Sequence, residues 1–249
     1  MTYGQPCRHL EECESTNDIA AQWAVDVVDP AVDGALVTAD LQTKGRGRRG
    51  RSWDSGSGDN VIMSMVLRNE TAADTVWQIG FVCALAISDV LLEHGVDGRI
   101  KWPNDVLIDG KKVAGVLVEV PVQSRDEGWT AIAGVGVNVN RAGFTDAAQF
   151  LMPPTSLFLE TGSTISPREL ADEIAHFVES WETRRRNGEW HAIVEEVRAR
   201  LAIGVPLTRG GSTGLLRDIG AEGQAVVELN SGTFSEWHTV DYEAGPNSV

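Results

Sequence analysis

The chain has 249 residues, 42% hydrophobic and 23% charged, enough apolar material for one full core plus a small appended module. A formal net charge of -15 disfavours nucleic acid and anionic lipid as partners of the whole molecule. The longest apolar stretch, Phe81 to Ile87, is too short to span a membrane, and Met1 to Leu10 lacks the apolar run of a secretory signal, so a cytoplasmic location is expected.

Ser15, Thr16, Asn17 and Asp18 precede the apolar positions Ile19, Trp23 and Val27, and Ser15 with Asp18 has capping-box spacing, so a helix is predicted from about Ser15. Ala35 to Ala39 reads as a short buried strand. The glycine- and arginine-rich stretch between Thr43 and Asn60 is predicted as a loop, anchored where Trp53 can pack. Val61 to Leu67 alternates as a strand does, and Trp77, Phe81, Ala84, Leu85, Ser88 and Leu92 recur at helical spacing up to Gly95. Val106 to Ile108 and Val113 to Val120 are β-rich runs joined by Asp109-Gly110, the signal of a tight hairpin. Trp129 to Val139 supplies another strand, whose interior Gly134 and Gly136 suit close approach of a ligand or another backbone. Ser166-Pro167-Arg168-Glu169 opens a helix continuing through Ile174, Phe177, Val178 and Trp181, and a further helix around Trp190 to Leu201 stops at Gly204. Short strands at Val205 to Leu207, Gly214 to Leu216, Ala225 to Leu229 and Trp237 to Val240 suggest a small β-barrel of SH3-like size. The best domain cut lies near Ala202, giving units 1–202 and 203–249.

Cys7, Cys13 and Cys83 are odd in number without C-x-x-C spacing and read as reduced thiols; the five histidines show no metal-ligand spacing. Lysine occurs only at Lys44, Lys101, Lys111 and Lys112 while acids run throughout, as suits a salty cytoplasm in which screening weakens surface repulsion. Activity and melting temperature are therefore expected to rise with potassium chloride. Full stability in dilute buffer would count against that adaptation.

Two segments carry chemistry. Gly45-Arg46-Gly47-Arg48-Arg49-Gly50-Arg51 sets backbone amides and guanidinium groups where they can close on a phosphate or carboxylate, with Trp53 as a stacking ring. Taken alone, such a run is more commonly a nucleic-acid patch. Lys101-Trp102-Pro103-Asn104-Asp105 stands directly before the hairpin, which folds Lys112 back towards Asn104 and Asp105. Singly, Trp102 is equally a core residue, Asp105 a turn cap, and Lys112 a surface lysine paired with Asp105 or Asp109. Together they offer a lysine, an amide and a carboxylate. Adenylation asks for such a set, because charge accumulates on phosphoryl oxygens when a carboxylate attacks an α-phosphate.

The ordered set Ser15-Thr16-Asn17, Gln42, Gly45 to Trp53, Lys101 to Asp105, Lys112-Val113-Ala114-Gly115 and Gly134-Val135-Gly136-Val137-Asn138 resembles biotin protein ligases over about His9 to Val240. The resemblance implies an α+β fold: a mixed β-sheet flanked by helices, class II synthetase-like and shared with lipoate ligases, plus a small C-terminal SH3-like β-barrel. By position it implies a biotin-binding set of Ser15, Thr16, Asn17, Gln42, Gly45, Arg46, Gly47, Arg48, Lys112, Gly115 and Gly134. Ser15, Thr16 and Gln42 carry the donors and acceptors a ureido ring needs. It implies an ATP and adenylate set of Arg48, Arg49, Arg51, Trp53, Asn104, Asp105, Lys112 and Asn138, with Lys112 and Arg48 catalytic. ATP and biotin are the implied substrates, Mg2+ is expected with ATP, and no residue identifies itself as a metal ligand.

The implied reaction makes biotinyl-5'-AMP and passes biotin to a lysine of a biotin carboxyl carrier protein. A loop ordering over this water-labile intermediate would limit hydrolysis. Some members add an N-terminal winged helix and repress biotin genes; here the motifs begin within the first two dozen residues, so a monofunctional ligase that binds neither nucleic acid nor membrane is expected. A homodimer is an arrangement the family adopts, and oligomeric state is left open. The rival readings are a lipoate or octanoate ligase of the same fold, a nucleic-acid-binding module using the basic run, and a non-catalytic biotin binder.

Overall fold

A computed structural model describes residues 2–56, 58–69, 75–124, 128–144 and 152–238. Seven strands, β1 (Cys7–Cys13), β2 (Leu36–Gln42), β3 (Asn60–Asn69), β4 (Arg99–Lys101), β5 (Asp105–Ile108), β6 (Lys111–Ser124) and β7 (Gly128–Asn138), form one mixed sheet in the order β1-β2-β3-β7-β6-β5-β4. β1 and β2 run parallel and the remaining pairs antiparallel. The Asp109-Gly110 hairpin forms with both residues at positive φ, 48° and 77°, as a two-residue turn requires.

Strand alternation divides the core between two faces. Met65 and Leu67 of β3 pack with α2 (Gln78–Glu93), α4 (Pro167–Arg186) and α5 (Trp190–Ala199). Val66 between them packs with Ala20, Trp23 and Ala24 of α1 (Thr16–Ala24) on the opposite face. α2 is apolar nearly all round because it lies between the sheet and α4. The predicted start of α4 is met: Pro167 opens the helix and Ser166 Oγ accepts from Glu169 N at 3.3 Å. A short α3 (Leu157–Thr161) is capped likewise by Ser156.

Two expectations at α1 are corrected. The capping box does not form: Ser15 makes no side-chain cap, Gln42 Oε1 instead accepts from Thr16 N at 2.7 Å, and Asp18 turns to Arg46. Val27 is no helix position either, being 97% exposed. The Asp26 carboxylate accepts from Val28 N and Asp29 N at 2.8 and 3.0 Å, a local turn that competes with the next helical bonds.

β8 (Pro206–Arg209), β9 (Ser212–Ile219), β10 (Ala225–Leu229) and β11 (Phe234–Trp237) make a separate antiparallel sheet in the order β11-β10-β9-β8, in keeping with a small SH3-like module. The last strand starts earlier than predicted, and 239–240 lie outside the described residues. The β9–β10 turn sits in an aromatic recess of the larger unit. Trp102 Nε1 donates to Gly223 O at 2.9 Å and Trp190 Nε1 to Ala221 O at 3.1 Å, while the Trp77 ring meets Trp190 edge-on at 5.0 Å. No helix among the described residues is long and apolar enough to cross a membrane.

Candidate active site

A cavity of about 650 Å³ opens on the face of the sheet that carries α1. Strand register lines up its floor: Gly115 on β6 pairs with Gly136 on β7, which pairs with Ile62 on β3, and Leu117 pairs with Gly134, which pairs with Ser64. Three glycines thus lower one half of this face, while Val66 and Ile132 fill the other half under α1. Both β7 glycines are in use. A Cβ on Gly134 would stand 2.3 Å from Asn17 Oδ1, and one on Gly136 would stand 2.4 Å from the Trp53 ring. The approach that the interior glycines predicted is made here by two side chains.

At one end of the cavity, the α1 N-terminus presents Ser15, Thr16 and Asn17, all at least 95% buried. Gln42 Oε1 accepts from both the amide and the hydroxyl of Thr16, at 2.7 and 3.0 Å. Ser64 Oγ lies 2.7 Å from Thr16 Oγ1 and 2.6 Å from Asn17 Oδ1, and Asn17 Nδ2 donates to Glu119 Oε2 at 2.6 Å. Apart from the Glu119 carboxylate behind Asn17, these donors and acceptors are uncharged, and the set suits a neutral, doubly polar group better than an anion.

The Gly-Arg segment folds back on itself as a clasp. Trp53 N donates to Gly45 O at 2.9 Å, Gly47 N to Arg51 O at 2.7 Å, and Arg48–Gly50 makes a single 3-10 turn with Arg49 at φ 59°. Gly45 permits the crossing, since a Cβ there would stand 2.4 Å from Trp53 O. Arg46 makes a bidentate pair with Asp18, both contacts at 2.8 Å, and reaches Glu119 Oε2 at 3.1 Å. Those bonds, Asp18 first, raise its pKa further above the usual arginine value. Arg48 Nη1 donates to Asn104 Oδ1 at 3.3 Å. Arg141 pairs with Asp54 at 2.8 Å, fastening the clasp to the segment after β7.

Opposite the clasp, the β5–β6 register shifts between Val106 and Leu107, the irregularity that often marks a re-aimed side chain. Lys112 Nζ lies 2.6 Å from Asp105 Oδ1 and 5.5 Å from the centroid of the Trp53 ring. It fits because Gly115 lacks a side chain: a Cβ there would be 3.0 Å from Nζ. Lys101 is a second amine in the cavity, with Nζ 2.8 Å from Met152 Sδ; burial pushes its pKa down, Asp105 raises it, and Lys112 and Arg51 lower it further. Asn138 Nδ2 donates to Thr155 O at 2.9 Å. The buried Trp53 Nε1 finds no partner among the described residues.

Of the residues singled out in the sequence, Ser15, Thr16, Asn17, Gln42, Arg46, Gly47, Arg48, Arg51, Trp53, Asn104, Asp105, Lys112, Gly115, Gly134 and Asn138 all line this cavity. Gly45 lies buried within the clasp and Arg49 is exposed outside the cavity wall. Sequence reading missed Ser64, Glu119 and Arg141, and it picked out Lys101 within its motif without giving it a site role. Glu119 had a usable signal, as a lone acid inside the apolar run Val116 to Val120.

The sequence profile of the Biotin/lipoate A/B protein ligase family matches residues 12–138. A biotin--[acetyl-CoA-carboxylase] ligase of Paracoccus denitrificans is 41% identical over 70% of this chain and 72% of its own length. The bifunctional ligase/repressor BirA of Bacillus subtilis is 33% identical over 86% of this chain and 67% of its own length. Among solved structures, the biotin protein ligase from Aquifex aeolicus in complex with biotin and ATP superposes with a TM-score of 0.78 at 26% identity, over 93% of this chain and 95% of that one. The chain belongs to the biotin/lipoate A/B protein ligase family.

Proposed function

We propose that this chain is an ATP-dependent biotin protein ligase. A biotin carboxylate oxygen attacks the α-phosphorus of ATP, diphosphate leaves, and biotinyl-5'-AMP remains. The neutral amine of a lysine on a biotin carboxyl carrier protein then attacks the acyl carbon, AMP leaves, and the amide forms with loss of the amine proton. The observation that carries this reading is a single cavity joining two chemistries. Its neutral polar end at Ser15, Thr16, Asn17 and Gln42 suits a ureido ring, and its cationic end at Lys112, Lys101, Arg48 and Arg51 suits phosphates. The Paracoccus relative, named for ligating biotin, and the Aquifex structure with biotin and ATP support it.

The residue roles follow from these positions. Lys112 neutralises charge growing on the α-phosphoryl oxygens, and Asp105 orients its ammonium. Arg48 and Asn104 close on the adenylate, Trp53 offers its ring to the purine, and Gly134 and Gly115 leave the room in which Asn17 and Lys112 stand beside biotin. Magnesium, expected with ATP, would offset part of the phosphate charge beside Lys112 and Arg48. No group of three His, Cys, Asp or Glu side chains that could hold a metal occurs among the described residues. We assign catalysis to 1–202 and a separate small module to 203–249. The three cysteines, all free, suit the reducing cytoplasm.

Supplying ATP, magnesium and a carrier domain, with biotin or lipoate in parallel, tests the reading. Diphosphate release and carrier-lysine acylation are expected with biotin. Turnover with lipoate and none with biotin would overturn it. A nucleic-acid module is disfavoured because Arg46, Arg48 and Arg51 line the cavity instead of extending a basic outer face.

A further inference from the structure

Arg46 stands in the basic run, where an arginine is expected to meet an anionic ligand. Its surroundings argue otherwise. Asp18 engages both terminal nitrogens of the guanidinium and Glu119 engages one of them again. One positive and two negative charges leave the cluster net negative, which repels a carboxylate or phosphate. Glu119 is 7% exposed, and the same Oε2 that accepts from Arg46 accepts from Asn17 at 2.6 Å. Asn17 in turn stands over Gly134 and against Ser64.

We infer that Glu119 and Asp18 are positioning residues: they hold Arg46 as a latch that keeps the Gly-Arg clasp over the cavity, and Glu119 ties that latch to Asn17 at the neutral end. Arg46 therefore acts on the ligand through the loop and not as an anion ligand. Asn17, Glu119 and Arg46 form one chain of bonds from the neutral end of the cavity to the loop, so what holds Asn17 also holds the loop over the cavity. The Arg46–Asp18 pair is charge-assisted and bidentate with its side chains 32% and 31% exposed, the Glu119 side chain is only 9% exposed, and removing one partner leaves the other charge uncompensated.

What the loop covers rests on the ligase reading, so the test has two arms. In the first, the full ligand-free chain is exposed to trypsin at a temperature well below melting, and nicking at Arg48, Arg49 and Arg51 is timed. In the second, biotinyl-5'-AMP formed in place is chased with unlabelled biotin, and its escape rate is followed. The variants are Glu119→Gln, which keeps the shape and an acceptor for Asn17, Asp18→Asn, Arg46→Met, and the double variant Arg46→Met with Glu119→Gln.

Both rates are expected to rise about tenfold in Glu119→Gln and Asp18→Asn, the size of one lost charge-assisted bond. The double variant should be no worse than Arg46→Met alone. Parent-like nicking and retention in Glu119→Gln, or effects that multiply in the double variant, would overturn the latch. A residue that merely supports the fold would lower melting temperature without moving these rates. Should Glu119→Gln fail to fold, the more exposed Asp18→Asn decides. If the parent makes no adenylate from biotin and ATP, the ligase reading falls, and the trypsin arm still judges the latch.

Discussion

Replacing Lys112 with methionine is expected to lower the rate of biotinyl-adenylate formation by about 10²–10³-fold, the loss seen when one preorganised charge stabiliser is removed. Its Nζ sits between the Asp105 carboxylate and the Trp53 ring in space that Gly115 leaves open. In the variant, Asp105 keeps its negative charge beside the position where phosphoryl charge must grow. Two losses therefore combine: the transition state loses a cation, and ATP in the ground state meets an uncompensated anion. A second substitution separates them. Adding Asp105→Asn to Lys112→Met should recover the KM for ATP while leaving kcat low, because the repulsion is relieved and the missing charge is not restored. Arginine at position 112 should not rescue, since a planar guanidinium does not fit the space an ammonium fills over Gly115. Rapid quench of radiolabelled ATP in single turnover reads both constants. A Lys112→Met variant within a few-fold of the parent rate would exclude Lys112 from charge stabilisation.

Much of this architecture is legible from local signals. α2 and α4 follow from helical periodicity and from the Ser166-Pro167 start, and the β5–β6 hairpin from Asp109-Gly110, because these depend on residues a few positions apart. β1 was not legible. Its sequence, Cys-Arg-His-Leu-Glu-Glu-Cys, is an edge strand rich in charge, without the alternation of a half-buried strand. β4 is three residues long and is held in place by β5 and a bridge from Ile100 to Leu201, both tertiary facts. Local competition explains Val27, where Asp26 captures two following amides and ends the helix early.

The candidate site divides in the same way. Residues in dense motifs, Thr16, Arg48, Asn104 and Lys112, can be found by type and spacing, and all of them line the cavity. What those residues bond to cannot. Arg46 meets acids 28 and 73 positions away, and Gln42, not Ser15, bonds the first amide of α1. The glycines carry an intermediate message. Their places inside strands announce a close approach, but only strand register reveals that Gly115, Gly134 and Gly136 make one floor and that Asn17 and Trp53 rest on it.

Gly223→Val is expected to lower stability by about 2–5 kcal/mol and to weaken ATP binding from a position outside the cavity. Gly223 has φ 80°, which a β-branched residue adopts at a cost of about 1–2 kcal/mol. A Cβ there would also stand 2.2 Å from the Trp77 ring, and crowding of that kind costs about 1–3 kcal/mol. The turn would have to lift, and Trp102 Nε1 would lose the Gly223 carbonyl that it donates to. Trp102 is followed directly by Pro103, Asn104 and Asp105, so the loss passes along one short rigid segment to the partners of Arg48 and Lys112. Gly232→Val supplies the control. Gly232 has φ 79° with nothing within 4 Å of its Cβ position, so it carries the backbone cost without the clash or the undocking. Thermal unfolding should show a drop of about 10 °C for Gly223→Val and a smaller drop for Gly232→Val. The KM for ATP should rise in the first and hold in the second. Trp102→Phe, which removes the indole donor alone, should raise the KM for ATP with a smaller loss of stability than Gly223→Val. Equal behaviour of the two glycine variants in melting and in KM would show that the β9–β10 turn does not buttress the Asn104-Asp105 corner.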